Sequence, residues 1–124
     1  MAKQEALTNI TLEAGGDLSA GQYRFVNVAA DGQVDLVASA GTDAIGVLQN
    51  DPDAAGVAAT VAIMGVSKVV IGTGGLTAGN RVQSDASGEA IAAATGDVVL
   101  GRAITGGAAG ELASVLLIST HITA

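Results

Sequence analysis

The sequence predicts an all-β fold: a small β-barrel or sandwich built from two duplicated β-halves, preceded by an extended N-terminal arm. Three observations carry this. Apolar residues alternate or run in short blocks cut by Gly, Asn and Asp, the pattern of short strands joined by tight turns. No segment has the length and periodicity of an amphipathic helix, since the one helix-like stretch, Ala2 to Leu7, is under two turns long and would be marginal in water. The glycine punctuation also recurs: Leu18-Ser19-Ala20-Gly21 returns as Leu76-Thr77-Ala78-Gly79, Gly41 to Gly46 as Gly96 to Gly101, and Ala54 to Ile63 as Ala108 to Leu117. The offsets are 79 − 21 = 58, 101 − 46 = 55 and 110 − 56 = 54, a drift small enough to place in loops.

Residues 1–14 read as the arm, ending at Gly15-Gly16. In the first half, strands are expected over Tyr23 to Val28, Val34 to Ala38, Ala44 to Leu48, Val57 to Met64 and Ser67 to Ile71. In the second they are expected over Arg81 to Ser84, Ala90 to Ala93, Val99 to Ile104 and Leu112 to Ile118. Asp31-Gly32 and Ser87-Gly88 fall between matched strands, where a hairpin turn needs the positive φ that glycine supplies. The chain therefore divides into an arm (1–14), one β domain (15–118, with repeats of about 16–71 and 74–118) and a tail (119–124). Neither half can bury a core alone, so the two are expected to close against one another, related by a pseudo-two-fold and superposing Gly21 on Gly79 and Gly56 on Gly110.

At 124 residues the chain fits one domain, and its 2% aromatic content means that Val, Ile, Leu and Ala must fill the core at roughly 25 cal/mol per Å² of buried apolar area. Oligomerisation would assist so light a core. The net charge of −7 and five basic residues scattered along the chain (Lys3, Arg24, Lys68, Arg81, Arg102) argue against binding nucleic acid or an anionic membrane. Cysteine is absent, which rules out disulfides and thiolate metal sites. The first residues lack a signal-peptide pattern and no apolar run reaches the ~18 residues of a membrane helix, so the expectation is a protein made and used without secretion.

No catalytic constellation emerges. The single histidine, His121, is the fourth residue from the end and reads as an ordinary tail residue. Gly72-Thr73-Gly74-Gly75 lacks the Gly-Lys-Ser/Thr of a phosphate loop and precedes a strand, so it reads as the linker between the halves. Asn50-Asp51-Pro52-Asp53 and Asp31 to Asp35 lack the spacing of a calcium loop and are turn formers. The sequon Asn9-Ile10-Thr11 is read as coincidence, and the aromatic platforms of sugar-binding clefts are nearly missing. The expectation is a protein that is not an enzyme, with no catalytic residue, metal, cofactor or small-molecule substrate.

The ordered series LSAGQYRFVNVAADGQV, GTDAIGVLQND and AAGVAATVAIMGVSKVV, followed by LTAGNRVQSDASGEAI, GDVVLGRAI and AAGELASVLLI, resembles the capsid cement (decoration) proteins of tailed bacteriophages over about residues 15 to 118. Ser87-Gly88 stands where many relatives are expected to carry Asp-Gly, a change confined to a turn. The resemblance implies a β-barrel-like head protein, usually a homotrimer. Such a protein is made in the host cytoplasm and docks on the outer surface of the virion, where it fastens major capsid protein subunits against the pressure of packaged DNA. It offers no catalytic residues to carry over. An extended arm suits β-augmentation, so Ala2, Lys3, Gln4, Glu5, Ala6, Leu7, Thr8, Asn9 and Ile10 are the candidate capsid-binding residues, with Leu7 and Ile10 as apolar anchors.

Two other readings compete. A β-repeat module of a surface adhesin or carbohydrate-binding protein has similar composition, but the signal sequence and sugar-stacking aromatics are missing. A biotinyl or lipoyl carrier barrel is also a duplicated β fold, yet Lys68 lies inside the strand pattern Val66 to Val70 and not on a hairpin tip.

Overall fold

The computed structural model describes residues 2–123, without the side chains of 119–122. His121 is among those four, so its expected role lies outside the described side chains. The chain folds into nine strands: β1 (Glu5–Ala14), β2 (Phe25–Ala30), β3 (Gln33–Leu36), β4 (Gly46–Leu48), β5 (Ala58–Val70), β6 (Arg81–Ser84), β7 (Ala90–Ala92), β8 (Val98–Ala103) and β9 (Leu112–Thr123). All-β architecture is as expected. The strands join one sheet in the order β1-β3-β2-β4-β5-β9-β8-β6-β7, and an additional β1–β5 pairing closes the first five into a ring.

Both expected hairpins form. β2 pairs antiparallel with β3 around Gly32 (φ 70°), and β6 with β7 around Gly88 (φ 77°). The duplication is visible in the ladders themselves. Val26 opposes Gly46 as Val82 opposes Gly101; Val28 opposes Val34 as Ser84 opposes Ala90; Leu48 opposes Val61 as Ala103 opposes Val115. Gly46 and Gly101 perform the same task in the two halves. A Cβ on Gly46 would lie 2.1 Å from the Ala62 carbonyl oxygen and 2.8 Å from Val61 Cγ1, and one on Gly101 would lie 2.4 Å from the Leu116 oxygen and 2.8 Å from Val115 Cγ1. Strand β4, like β8, approaches its neighbour too closely for any side chain.

Equivalent hydrogen bonds refine the expected superposition. Gly56 does correspond to Gly110, because their amides donate to the Ala14 and Ile71 oxygens, each at 2.8 to 2.9 Å. Gly21 does not correspond to Gly79. Tyr23 N donates to Leu48 O at 2.7 Å just as Gly79 N donates to Ala103 O at 2.8 Å, while Leu18 N to Pro52 O matches Leu76 N to Gly107 O. The first half thus has two extra residues between its leucine and this turn position, so the shared Ala-Gly letters lie out of register.

The arm is a working strand. β1 runs antiparallel to β5 from Glu13↔Ala58 to Glu5↔Val66 and touches β3 in parallel at Ala14↔Val34. This corrects the division into a free arm (1–14) and a domain beginning at residue 15. The reason lies in the repeat: Ala14↔Val34 reappears as the bridge Ile71↔Ala90, and Leu12↔Ala59 as Val69↔Ala113. β1 is therefore the counterpart of the end of β5. The two expected strands Val57 to Met64 and Ser67 to Ile71 are one continuous β5, whose first part belongs to one half and whose last part opens the other. β9 likewise runs on through Thr123, where a separate tail was expected from 119.

The cores follow the same plan. One cluster, Ala14, Leu18, Val26, Val34, Leu48, Ala59 and Val61, fills the first ring. Its counterparts Ile71, Leu76, Val82, Ala90, Ala103, Ala113 and Val115 lie in the second cluster. Ala14 becomes the larger Ile71 where Val34 and Leu48 become the smaller Ala90 and Ala103, so the filling volume is redistributed and not lost. The second cluster also holds Phe25, Val37, Ala44, Val47 and Ala62, which pack the first half against the second.

Candidate binding surface

The expected arm residues split between core and surface. Leu7 and Ile10, expected as apolar anchors for the capsid, are half-buried: Leu7 packs on the second core cluster and Ile10 on the first. Lys3, Gln4, Glu5, Ala6, Thr8 and Asn9 are exposed, and Ala2 is half-buried. The register shifts between Glu5 and Asn9, where Ala6 takes φ 50°. The tip is tied down: Lys3 N donates to Ser114 Oγ at 2.6 Å, Gln4 Nε2 donates to Gln49 Oε1, and Lys3 pairs with Glu5 at 3.8 Å.

Two shallow grooves flank this strand. One of about 390 Å³ is lined by Ile10, Ile45, Ile63, Met64 and Ile118 together with Asn27, Asp43 and Ala44. The other, about 400 Å³, lies between the arm tip and β8–β9, lined by Lys3, Glu5, Val66, Ile104, Thr105 and Ser114. Both are open and mostly aliphatic. The aliphatic side chains supply contact area, and Lys3, Glu5, Thr105 and Ser114 add polar groups to the second groove.

The expectation of scattered basic residues needs correction in space. Arg81 of β6 stands directly opposite Arg102 of β8, Arg102 opposite Leu116 of β9, and Leu116 opposite Val66 of β5. Directly opposed residues share a face of the sheet. This row is the outer one, because the neighbouring positions Val82, Ala103, Val115 and Ser67 are buried whereas both arginines are exposed and Leu116 is 42% exposed. Lys68, opposite Ser114, stands one rung away, and Ile104, half exposed, donates its amide to the Ser114 oxygen at 2.7 Å. The signal was present as Gly101-Arg102-Ala103-Ile104, a strand with alternating exposure, but strand order is needed to bring Arg81 beside it.

The Lys68 ammonium lies 5.7 Å from the centroid of the Tyr23 ring. Tyr23, the single tyrosine, holds φ 64°, a left-handed conformation that its counterpart Gly79 adopts at φ 92°. Among the described residues no group of three or more His, Cys, Asp or Glu is arranged to hold a metal ion. Asp17 is held below the ordinary carboxyl value by its hydrogen bonds with Ser19, first from the side chain and then from the amide, at a fully exposed turn. Asn50 to Asp53, expected to form a turn, is irregular at 51–53; the turn follows at 55–56, where the Ala54 oxygen accepts the Val57 amide at 3.2 Å, while the Pro52 oxygen accepts the Leu18 amide at 2.8 Å.

No family model and no curated protein matches the chain. A solved structure does. The crystal structure of the N base of head fiber gp8.5 in bacteriophage phi29 superposes with a TM-score of 0.71 over 95% of this chain and 99% of that one, at 18% identity. The two chains share a fold from end to end.

Proposed function

We propose that this chain is a structural protein of a tailed-phage head. It sits on the outer surface of the virion and holds neighbouring major capsid protein subunits together, without enzymatic chemistry, cofactor or nucleic acid. The observation that carries this reading is the end-to-end fold shared with a phage head fiber base. The ordered motif resemblance to capsid cement proteins, found from the residues alone, points to the same particle. A surface of shallow aliphatic grooves on an acidic chain of net charge −7 suits a protein that must stay soluble at high copy number and bind by contact area.

Cementing is then linkage. A protein that binds only the assembled shell stabilises it by RT ln(1 + [L]/Kd) per site, about 2.7 kcal/mol at a hundredfold excess over Kd. Repeated over a shell, that raises the temperature at which DNA-filled heads burst. The expected assembly is a homotrimer, which light scattering coupled to size exclusion would report as three chain masses. The exposed arm residues Lys3, Gln4, Glu5, Thr8 and Asn9 flank the candidate grooves and remain binding candidates through their side chains.

The deciding experiment adds purified protein to undecorated heads and follows both sedimentation with the heads and their bursting temperature. Binding with a higher bursting temperature supports cementing. Binding with no thermal protection would leave a head appendage that does not cement, and failure to bind would remove the head-protein reading.

A further inference from the structure

The duplication assigns an unexpected meaning to the arginine row. The register places Phe25, Val47 and Ala62 of the first half where the second half has Arg81, Arg102 and Leu116, since Phe25↔Val47 and Val47↔Ala62 match Arg81↔Arg102 and Arg102↔Leu116. In the first half that face is buried, with Phe25 1% and Val47 and Ala62 0% exposed, because the second half packs over it. In the second half Arg81, Arg102, Leu116 and Ile104 on the same face are exposed, although their neighbours Gln83 and Ser114 are buried.

A polar outer face is what a terminal repeat needs to stay soluble. Two features exceed that need. The two arginines are direct cross-strand neighbours, with Cβ atoms about 5 Å apart, an arrangement that destabilises a sheet when charges are alike. In a chain with 12 acidic and 5 basic side chains, acids were the abundant choice for solubility. Among the described residues the ion pairs are Lys3–Glu5 and Arg24–Glu89, and neither Arg81 nor Arg102 takes part. The acid in the same row, Glu5 opposite Val66, is three strands from Arg102, roughly 14 Å at normal strand spacing and beyond a physiological Debye length. The second feature is that Leu116 and Ile104 remain exposed beside the arginines, which combines an aliphatic centre with planar hydrogen-bond donors.

We propose that the face formed by Arg81, Arg102, Leu116 and Ile104 docks a carboxylate-bearing segment of a different protein. Taking that protein to be the coat subunit rests on the head-protein reading above. Charge complementarity selects the occupant. Bidentate carboxylates would relieve the arginine pair, and the aliphatic stems would cover Leu116. A nucleic-acid backbone carries the same sign of charge but needs many phosphates neutralised, and this face offers two arginines in a chain with five basic residues. An isologous contact with a second copy would set arginine against arginine.

The test uses full-length protein and undecorated heads. Arg81→Glu/Arg102→Glu should weaken co-sedimentation about 100-fold, Arg81→Gln/Arg102→Gln about tenfold, and Leu116→Ser less than either. Wild-type binding should fall as salt is raised. All three sites are exposed, so each variant should melt within a few degrees of wild type. A wild type that fails to bind heads sinks the head-protein reading; a wild type that binds and a charge-reversed variant that binds equally overturn this inference alone. If the variants instead lose the trimer while monomers still bind, the acidic partner is a second copy and the proposal as stated is wrong. Gain of DNA binding by the glutamine variant relative to the glutamate variant, with head binding unchanged, would likewise overturn it.

Discussion

The two halves of this molecule obey one set of ladders but are closed differently. The first ring is closed by a whole strand, β1, paired along β5 and touching β3. The second is closed by the end of β5 through the single bridge Ile71↔Ala90, and β5 thereby serves both halves. One half also covers its outer face with its sister, while the other leaves arginine and leucine of that face exposed to solvent. Interior positions tolerate only changes that keep the volume, whereas the counterpart positions on the outside are free to become charged. A duplicated fold thus keeps its core and spends its asymmetry on the ends.

Removing β1 should break the comparison most severely. Deletion of residues 2–12 removes the strand that closes the first ring and uncovers Ala59 and Val61, so we expect loss of cooperative unfolding in a circular dichroism melt. A truncated chain that melts normally would show that β1 is dispensable and restore the picture of a free arm. Next come the paired glycines. Gly46→Ala and Gly101→Ala both drive a methyl into a carbonyl oxygen that belongs to the adjacent strand, and each should cost about 4 kcal/mol or more in denaturant unfolding. A large effect at one and none at the other would mean that the halves are not structurally equivalent.

Leu18→Ala and Leu76→Ala probe matched core positions, 5% and 7% exposed, and each should cost about 2–5 kcal/mol. The smallest effect is expected at the mismatched turn. Gly79→Ala places a side chain at φ 92° with open space around it and should cost about 1 kcal/mol, whereas Tyr23→Gly relieves φ 64° and should stay within about 1 kcal/mol of wild type, because backbone entropy and the lost ring contact with Lys68 oppose the relief. A Tyr23→Gly loss of several kcal/mol would show that the ring, and not the turn, governs this site.

Local chemistry made the fold class legible from residues alone. Apolar alternation, glycine at both hairpins and the recurring Ala-Ala-Gly before β5 and β9 are properties of short windows, and every expected strand region is β structure, although two of them fuse into β5 and β9 runs on to Thr123. The Leu-x-Ala-Gly match misled, because similar letters two residues out of register hide Tyr23 standing in for Gly79. The arm misled too, although Ile10, Leu12 and Ala14 alternate inward as a strand should. Its counterpart, the end of β5, shares almost no residues with it beyond a following glycine, Gly15 and Gly72, so the equivalence lives in hydrogen bonds and not in letters.

The sequence by itself determined that the chain is all-β, duplicated, aliphatic inside and acidic overall, because each of these depends on composition or on neighbours a few residues apart. Only the tertiary structure decided that the arm closes a ring, that β5 is shared, and that Arg81 and Arg102 meet, exposed, on one face. Those facts depend on which strands lie side by side, and strand order is set by packing between residues far apart in the chain.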